Sequence, residues 1–226
     1  MGKSVNTRRA LIVGGAGGLG SAVVKSLKNQ YSFDDHWLSS NRPDVMDPAA
    51  YEHVRENLDL AIYFAGTNLT KPVEEITYEE LYHIFSVNIL GAFNFVKNLK
   101  HKMLGTFNPT FIFASSIMVN HPYPNRTAYA SSKAAIEGLS NALSVELGDV
   151  NISSVCLRLG HLNSLMKSTV TNPELLEKVK SKTPQANLMD SNSIGNIIKN
   201  IHDHSPMFNG SVIDLDGAYT RNRWPF

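Results

Sequence analysis

Residues 10–20 read Ala10-Leu-Ile-Val-Gly-Gly-Ala-Gly-Gly-Leu-Gly20, and this stretch decides the fold. Its first four residues are an apolar run of strand character. Glycines then crowd positions 14–20, and residues 19–27 carry helical period. Glycine admits positive φ and lets the backbone approach a ligand closely. A helix beginning at such a turn aims unpaired N–H groups and the positive end of its dipole at it, which suits a pyrophosphate. The plain alternative is a tight strand-to-helix turn with no ligand. The strand before and the helix after are the context that favours nucleotide binding. A Walker-type phosphate loop is excluded, because Ser21 follows Gly20 where a lysine should stand.

Outward from this turn, short apolar runs rich in β-branched residues recur at 37–39, 60–64, 110–114, 152–157 and 211–215. Between them, residues 78–99, 128–147 and 193–202 have the period of amphipathic helices. Continuously apolar strands separated by helices form a parallel sheet covered on both faces. The pattern therefore predicts an α/β, doubly wound, Rossmann-like fold. No repeat, low-complexity tract or linker divides the chain, so 1–226 is expected to be a single domain. Two places break the alternation. Residues 40–51 leave no room for a normal crossover helix, since a parallel connection usually needs about a dozen residues. Residues 162–193 form a long irregular stretch with a short helical piece at 174–180, of the kind that serves as a lid or binding loop.

Composition narrows the function classes. The 226 residues are 42% hydrophobic and 18% charged, an ordinary globular balance. Lys plus Arg number 21 against 20 Asp plus Glu, a net charge of +1 that argues against a nucleic-acid or acidic-membrane partner. The single Cys156 cannot form an internal disulfide, which fits a reducing, cytoplasmic compartment. No apolar run approaches the roughly 20 residues of a membrane helix, and residues 10–13 are too short for a signal peptide's apolar region. The His202-Asp203-His204 run lacks a third ligand at metal-site spacing and reads as a solvated helix end, so no metal is expected.

Two further segments carry chemistry. Tyr129-Ala-Ser-Ser-Lys133 opens a strongly helical run, and residues four apart share a helix face, so phenol and ammonium can point into one site. Taken alone, this is as consistent with a surface pair. Phe111-Ile-Phe-Ala-Ser-Ser116 is a buried strand ending in two hydroxyls, and in open α/β sheets ligands gather at the carboxyl ends of strands.

Together these residues resemble the short-chain dehydrogenases/reductases, over nearly the whole chain from Leu11 to about Tyr219. The family's Gly-x-x-x-Gly-x-Gly falls on Gly14, Gly18 and Gly20, with Leu19 inside it. Its Tyr-x-x-x-Lys falls on Tyr129 and Lys133. Its serine stands thirteen positions before the tyrosine, which selects Ser116 over Ser115, and its helix asparagine falls on Asn88. The resemblance implies hydride transfer between a nicotinamide cofactor and a small-molecule carbonyl/alcohol pair. Tyr129 would be the general acid or base. Lys133 would favour its phenolate and hold the nicotinamide ribose, Ser116 would bind the reacting oxygen, and Asn88 would kink its helix and anchor a water. A free phenol titrates near a pKa of about 10. Lowering that to around 7 takes roughly 4 kcal/mol of differential stabilisation, from the lysine and a cationic nicotinamide together.

The sequence departs from the family pattern in places. Asn-Asn-Ala-Gly becomes Tyr63-Phe64-Ala65-Gly66, Pro-Gly becomes Leu159-Gly160, and the following Thr appears as Ser164. Ala65, Gly66, Gly160 and Leu162 remain expected cofactor contacts. NAD enzymes place an acid at the end of the second strand and NADP enzymes an arginine nearby. Residues 37–42, with Ser40, Asn41 and Arg42 and no carboxylate, favour NADP over NAD. Asp44-Val45 resembles the family's adenine-binding Asp-Val, arriving early, as in the more compact members. On the substrate side His121, Tyr123, Arg126 and His161 are candidate orienting groups, Arg126 for a carboxylate or phosphate. Apolar faces in 78–99 and 128–147 fit a helix-paired homodimer or homotetramer. The alternatives are a catalytically silent nucleotide-binding scaffold or sensor, against which the intact Ser116–Tyr129–Lys133 group argues, and an epimerase-like relative using the same tyrosine.

Overall fold

Strand order in the sheet is β2-β1-β3-β4-β5-β6, and all the pairings are parallel. The strands are β1 (Arg8–Val13), β2 (Tyr31–Phe33), β3 (Leu60–Tyr63), β4 (Thr110–Ser116), β5 (Ser153–Leu159) and β6 (Val212–Leu215). The computed structural model describes residues 7–38, 43–163 and 173–221. The order reverses at β1, which lies between β2 and β3, and such a switch point opens a crevice at the carboxyl ends of the strands. This is the doubly wound parallel sheet expected from the alternation of runs.

Helices cover both faces. On one, α1 (Gly18–Leu27) sets Leu19, Val23 and Leu27 against Ile12, Ile62 and Val155 of the sheet. On the other, α2 (Tyr78–Phe85), α3 (Gly91–Leu99) and α4 (Thr127–Glu146) follow one another along the chain. Phe95 and Leu99 of α3, with Ile136, Leu139 and Leu143 of α4, pack against Leu11, Phe111 and Phe113. The strands obey a period of two, so Phe111 and Phe113 face one layer while Ile112 faces the other. Each large side chain removed from water contributes about 1.5–3 kcal/mol. Between β5 and β6 come α5 (Pro173–Lys182) and α6 (Ser191–Asp203), and Ile194, Ile198 and Ile201 of α6 join the α1 face.

Of three further features, two differ from the sequence pattern and the third, the absent crossover helix, follows it. The second strand is Tyr31–Phe33 and not 37–39, where Asp35–Trp37 is a single 3-10 turn. Trp37 is apolar because it is core: it is fully buried and stacks on Tyr51 with centroids 5.0 Å apart. Second, the helix over 78–99 is interrupted by a π-helical turn, Ser86–Leu90. Its start is fixed by a capping box, in which Thr77 and Glu80 each bond the other's backbone N–H. Third, residues 40–51 carry no crossover helix among the described residues. Pro48–Tyr51 is a 3-10 turn capped by Asp47, and β2 stands at the sheet edge. An edge strand of three residues is a poor template for unwanted pairing.

The helix end read as solvated is exposed at His204 but buried at His202. His202 is wholly inaccessible, and its Nδ1 lies 2.6 Å from the Tyr31 hydroxyl. Asp203 pairs with Arg8 and, at 2.5 Å, with Lys199. Burial first, and then the Arg8 charge, push the His202 imidazole down to about 4. The folded state thus binds the proton less readily than the unfolded chain, where an imidazole titrates near 6.5. The resulting stability is full above about pH 6.5 and drains away as pH falls toward 4, by roughly 3 kcal/mol in all. Urea unfolding at pH 7 and pH 4.5 should show His202→Gln losing markedly less stability between the two than the wild type. An equal loss in both would remove His202 as the source.

Candidate active site

The glycine turn at the end of β1 has no room for side chains. Gly14 has φ +91°, and a Cβ there would lie 2.8 Å from both the Phe64 carbonyl carbon and the Ala65 nitrogen. A Cβ on Gly20 would lie 2.3 Å from the Gly14 carbonyl oxygen. Gly17 caps α1 without a side-chain acceptor, so the first N–H groups of that helix open onto the turn. Beside it runs a groove of about 590 Å³, lined by Gly14, Gly18, Leu19 and Gly20, by Trp37 and Asp44–Val45, and by Ala65 and Gly66. A narrow backbone cradle, an uncapped helix start and a groove beside them lined by the glycine turn, Asp44–Val45 and Ala65–Gly66 together fit a dinucleotide.

Not every expected contact lies there. Asn41 and Arg42, with Ser40, fall outside the described residues, as does Ser164. Asp44 lines the groove while its carboxylate accepts the Met46 N–H at 2.9 Å. The Val45 carbonyl accepts from Tyr51 and Asn94, at 3.1 and 3.0 Å. Gly160 and Leu162 are not among the described lining residues. Gly160 abuts Asp216, where a Cβ would come within 2.7 Å of the backbone, and Leu162 is core, bridged to Met189.

The four candidate chemical residues lie on β4, α4 and the π turn, with Asn88 and Lys133 both facing Gly66. Lys133 is buried, and its Nζ donates to the Ala114 carbonyl at 2.8 Å, two residues before Ser116. The same Nζ stands 5.8 Å from the Tyr129 ring centroid and faces Gly66, where a Cβ would be 3.4 Å away. Ser116 ends β4, and its Oγ accepts the Met118 N–H at 3.2 Å, so it keeps its own proton to give. Ser115 is occupied elsewhere, donating to Glu137 at 2.6 Å.

Asn88 sits in the π turn, wholly buried. Its Oδ1 accepts from Thr67 N at 2.8 Å, and its Nδ2 donates to the Thr67 carbonyl and to Ser132 Oγ, at 3.0 and 2.8 Å. Ser132 in turn donates to the Tyr129 carbonyl at 2.8 Å. The asparagine thus ties the 64–67 loop to the first turns of α4. The family resemblance marked Asn88, but nothing in the sequence signalled Thr67 or Ser132.

Beyond Ser116, rings gather at the ends of β4, β5 and β6. The Tyr123 hydroxyl lies 3.0 Å from His161 Nε2 and 2.5 Å from the Tyr219 hydroxyl. His161 packs edge-on to Tyr219 at 4.8 Å. Burial, then His121 and Lys182, push the His161 imidazole below its ordinary value, which keeps it neutral near pH 7. Arg126 hydrogen-bonds Asn68 at the rim. Tyr219 escaped the sequence pattern because its partners are far along the chain.

A protein-family model described as short chain dehydrogenase matches residues 40–175, more than half of the chain. A tropinone reductase homologue of Arabidopsis thaliana is 24% identical over 99% of this chain and 96% of its own length. Carbonyl reductase 2 of Sus scrofa, named for NADPH, is 27% identical over 93% of this chain and 96% of its own. Among solved structures, Thermoplasma acidophilum aldohexose dehydrogenase superposes with a TM-score of 0.86 at 15% identity, over 98% of this chain and 97% of that one. A short-chain type dehydrogenase/reductase of Mycobacterium ulcerans gives 0.84 at 20% identity, over 97% and 92%. At such identities the superpositions speak to the fold.

The cradle yields a direct prediction. Gly20→Ala drives a methyl into the Gly14 carbonyl, so the turn must open at a cost of roughly 1–3 kcal/mol. A lowered melting temperature should accompany at least a tenfold loss of nicotinamide-dinucleotide affinity. Wild-type affinity in Gly20→Ala would mean the groove is not where the dinucleotide binds.

Proposed function

The chain belongs to the short-chain dehydrogenase family, and on that premise we propose that it interconverts a carbonyl and an alcohol on a small molecule, with Tyr129 as acid and base. The observation that carries this is Lys133, whose buried ammonium stands between the Ala114 carbonyl, the Tyr129 ring and the dinucleotide groove at Gly66. A nicotinamide cofactor would supply or accept the hydride.

The protein's own residues handle the oxygen and the proton. In reduction, the Ser116 hydroxyl donates to the substrate oxygen, where negative charge builds as the carbonyl opens. The Tyr129 hydroxyl transfers its proton to that oxygen, completing the alcohol, and the reverse transfer serves oxidation. The Lys133 ammonium stabilises the phenolate left behind. Lys133 would also hold the nicotinamide ribose. Asn88 has its side chain fully engaged, so its part is to hold the π turn and, through Ser132, the first turns of α4. A water feeding protons toward Lys133 would therefore meet its main-chain carbonyl.

Two observations support NADP over NAD. The adenosine end of the groove is walled by Trp37 and Pro43, and the one carboxylate among its described lining residues, Asp44, is turned onto the Met46 N–H. Asp34 and Asp35, which follow β2, line a separate depression with Arg9 and Arg55. A single charge-assisted bond to a 2′-phosphate is worth about 1.5–3 kcal/mol. Titration followed by reduced-nicotinamide fluorescence should accordingly show NADPH binding at least about tenfold more tightly than NADH, and tighter NADH binding reverses the assignment.

The reaction itself is tested by Tyr129→Phe. With NADPH and a panel of ketones and aldehydes, the wild type should consume the reduced cofactor. The variant should lose at least about 1,000-fold in kcat with cofactor affinity within about threefold. Retained reduction in Tyr129→Phe would sink the mechanism. No turnover by the wild type across the panel would instead favour a nucleotide-binding scaffold.

A further inference from the structure

Tyr129, Lys133 and Glu137 follow at four-residue intervals on α4 and share one face. The chemistry above uses the first two. Glu137 is largely buried and accepts three hydrogen bonds: from Ser115 Oγ at 2.6 Å, Arg158 Nε at 2.9 Å and Arg158 Nη2 at 2.7 Å. Arg158 gives its remaining arm to Asp214 at 2.7 Å. Ser115 and Arg158 are registered opposite one another on β4 and β5, so both reach Glu137 from one face of the sheet.

The neighbouring lysine makes this arrangement consequential. A lysine and a glutamate four apart on a helix ordinarily attract each other, and a shielded carboxylate draws any cation within reach. Yet Lys133 Nζ bonds the Ala114 carbonyl, toward the groove. Cys156 lies beneath, and its thiol is pushed up to about 12 chiefly by burial, then further by Glu137, and is eased by Lys133 and Arg158. The three charges therefore act on one buried neighbourhood, where an uncompensated one would be felt strongly.

We propose that Arg158 is a positioning residue for Lys133: its two-pronged grip saturates Glu137 and prevents that carboxylate from drawing the Lys133 ammonium away from the groove. The proposal rests on the function assigned above to Lys133. Without Arg158, Glu137 keeps only its Ser115 bond, and the lysine one turn earlier becomes its nearest available cation on the shared face. Lys133 would then leave Ala114, and with it the phenol and the ribose it is meant to serve.

Kinetics with NADPH, cofactor titration and thermal melting of the full chain test this, using Arg158→Met, Glu137→Gln, the double variant and Arg158→Lys. Arg158→Met should lose about 100-fold in kcat, with substrate KM moving less than about threefold and NADPH affinity falling. Removing the stranded carboxylate in Glu137→Gln/Arg158→Met should restore kcat to within about tenfold of wild type, even though melting stays depressed. A pair that served stability alone would leave the double variant as impaired as Arg158→Met. That outcome, or wild-type kcat in Arg158→Met, overturns the proposal. Should Arg158→Met not fold, Arg158→Lys decides. It keeps a cation but loses the fork that saturates Glu137, so a kcat between that of wild type and a loss of about 100-fold, with NADPH affinity falling in step, supports the proposal, and wild-type kcat refutes it. An inactive wild type would count against the oxidoreductase function. The NADPH affinity of Arg158→Met relative to wild type would then carry the test, unchanged affinity refuting it.

Discussion

Three backbone segments meet at Gly14 with no side chain between them: the end of β1, the 64–65 loop beyond β3, and the first turn of α1. The rest of the candidate site depends on that contact. It lets α1 begin directly against the sheet, so its uncapped N–H groups open where the strand order reverses. It also brings Ala65 and Gly66 beside the glycines, and Gly66 faces Lys133. A methyl group at this point would separate the glycine cradle from Ala65, Gly66 and the Lys133 that Gly66 faces.

The second organising element is α4, which works on the sheet through charge as well as packing. Its apolar residues seal one face, while Lys133 and Glu137 reach the ends of β4 and β5. The two polar attachments differ. Lys133 holds a main-chain carbonyl of β4, and Glu137 holds side chains of β4 and β5, so the strand end is fixed in two independent ways. The π turn adds a third tie through Asn88 and Ser132. An extra residue in a helical turn is costly unless its side chain gains specific partners, and Asn88 has three.

How much of this was legible in the sequence follows from the range of each interaction. The glycine turn, the Tyr129–Lys133 spacing and the alternation of runs are local, and the structure places them as the pattern implied. Asn88 and Lys133 both face Gly66, and Lys133 bonds the strand that ends in Ser116. Trp37 misled because a buried aromatic in a short turn carries the same apolar signal as a strand residue. His202 misled because its polar neighbours mask a contact with Tyr31, far away in the chain. The sequence named Tyr123 and His161 singly, but their grouping with Tyr219, like the Glu137–Arg158–Asp214 chain, was illegible for the same reason. Their members come from α4, loops and strand ends far apart in the chain, which only the fold brings together.

Cys156 turns the core into its own reporter. A thiol held this far from ionisation and wholly out of solvent has almost no reactive thiolate while β5 stays paired. It can meet an alkylating reagent only during excursions that part the central strands, and those excursions require close to global unfolding. The labelling rate of this lone thiol is thus a clock for the rarest openings of the molecule, set in the strand that also carries Arg158.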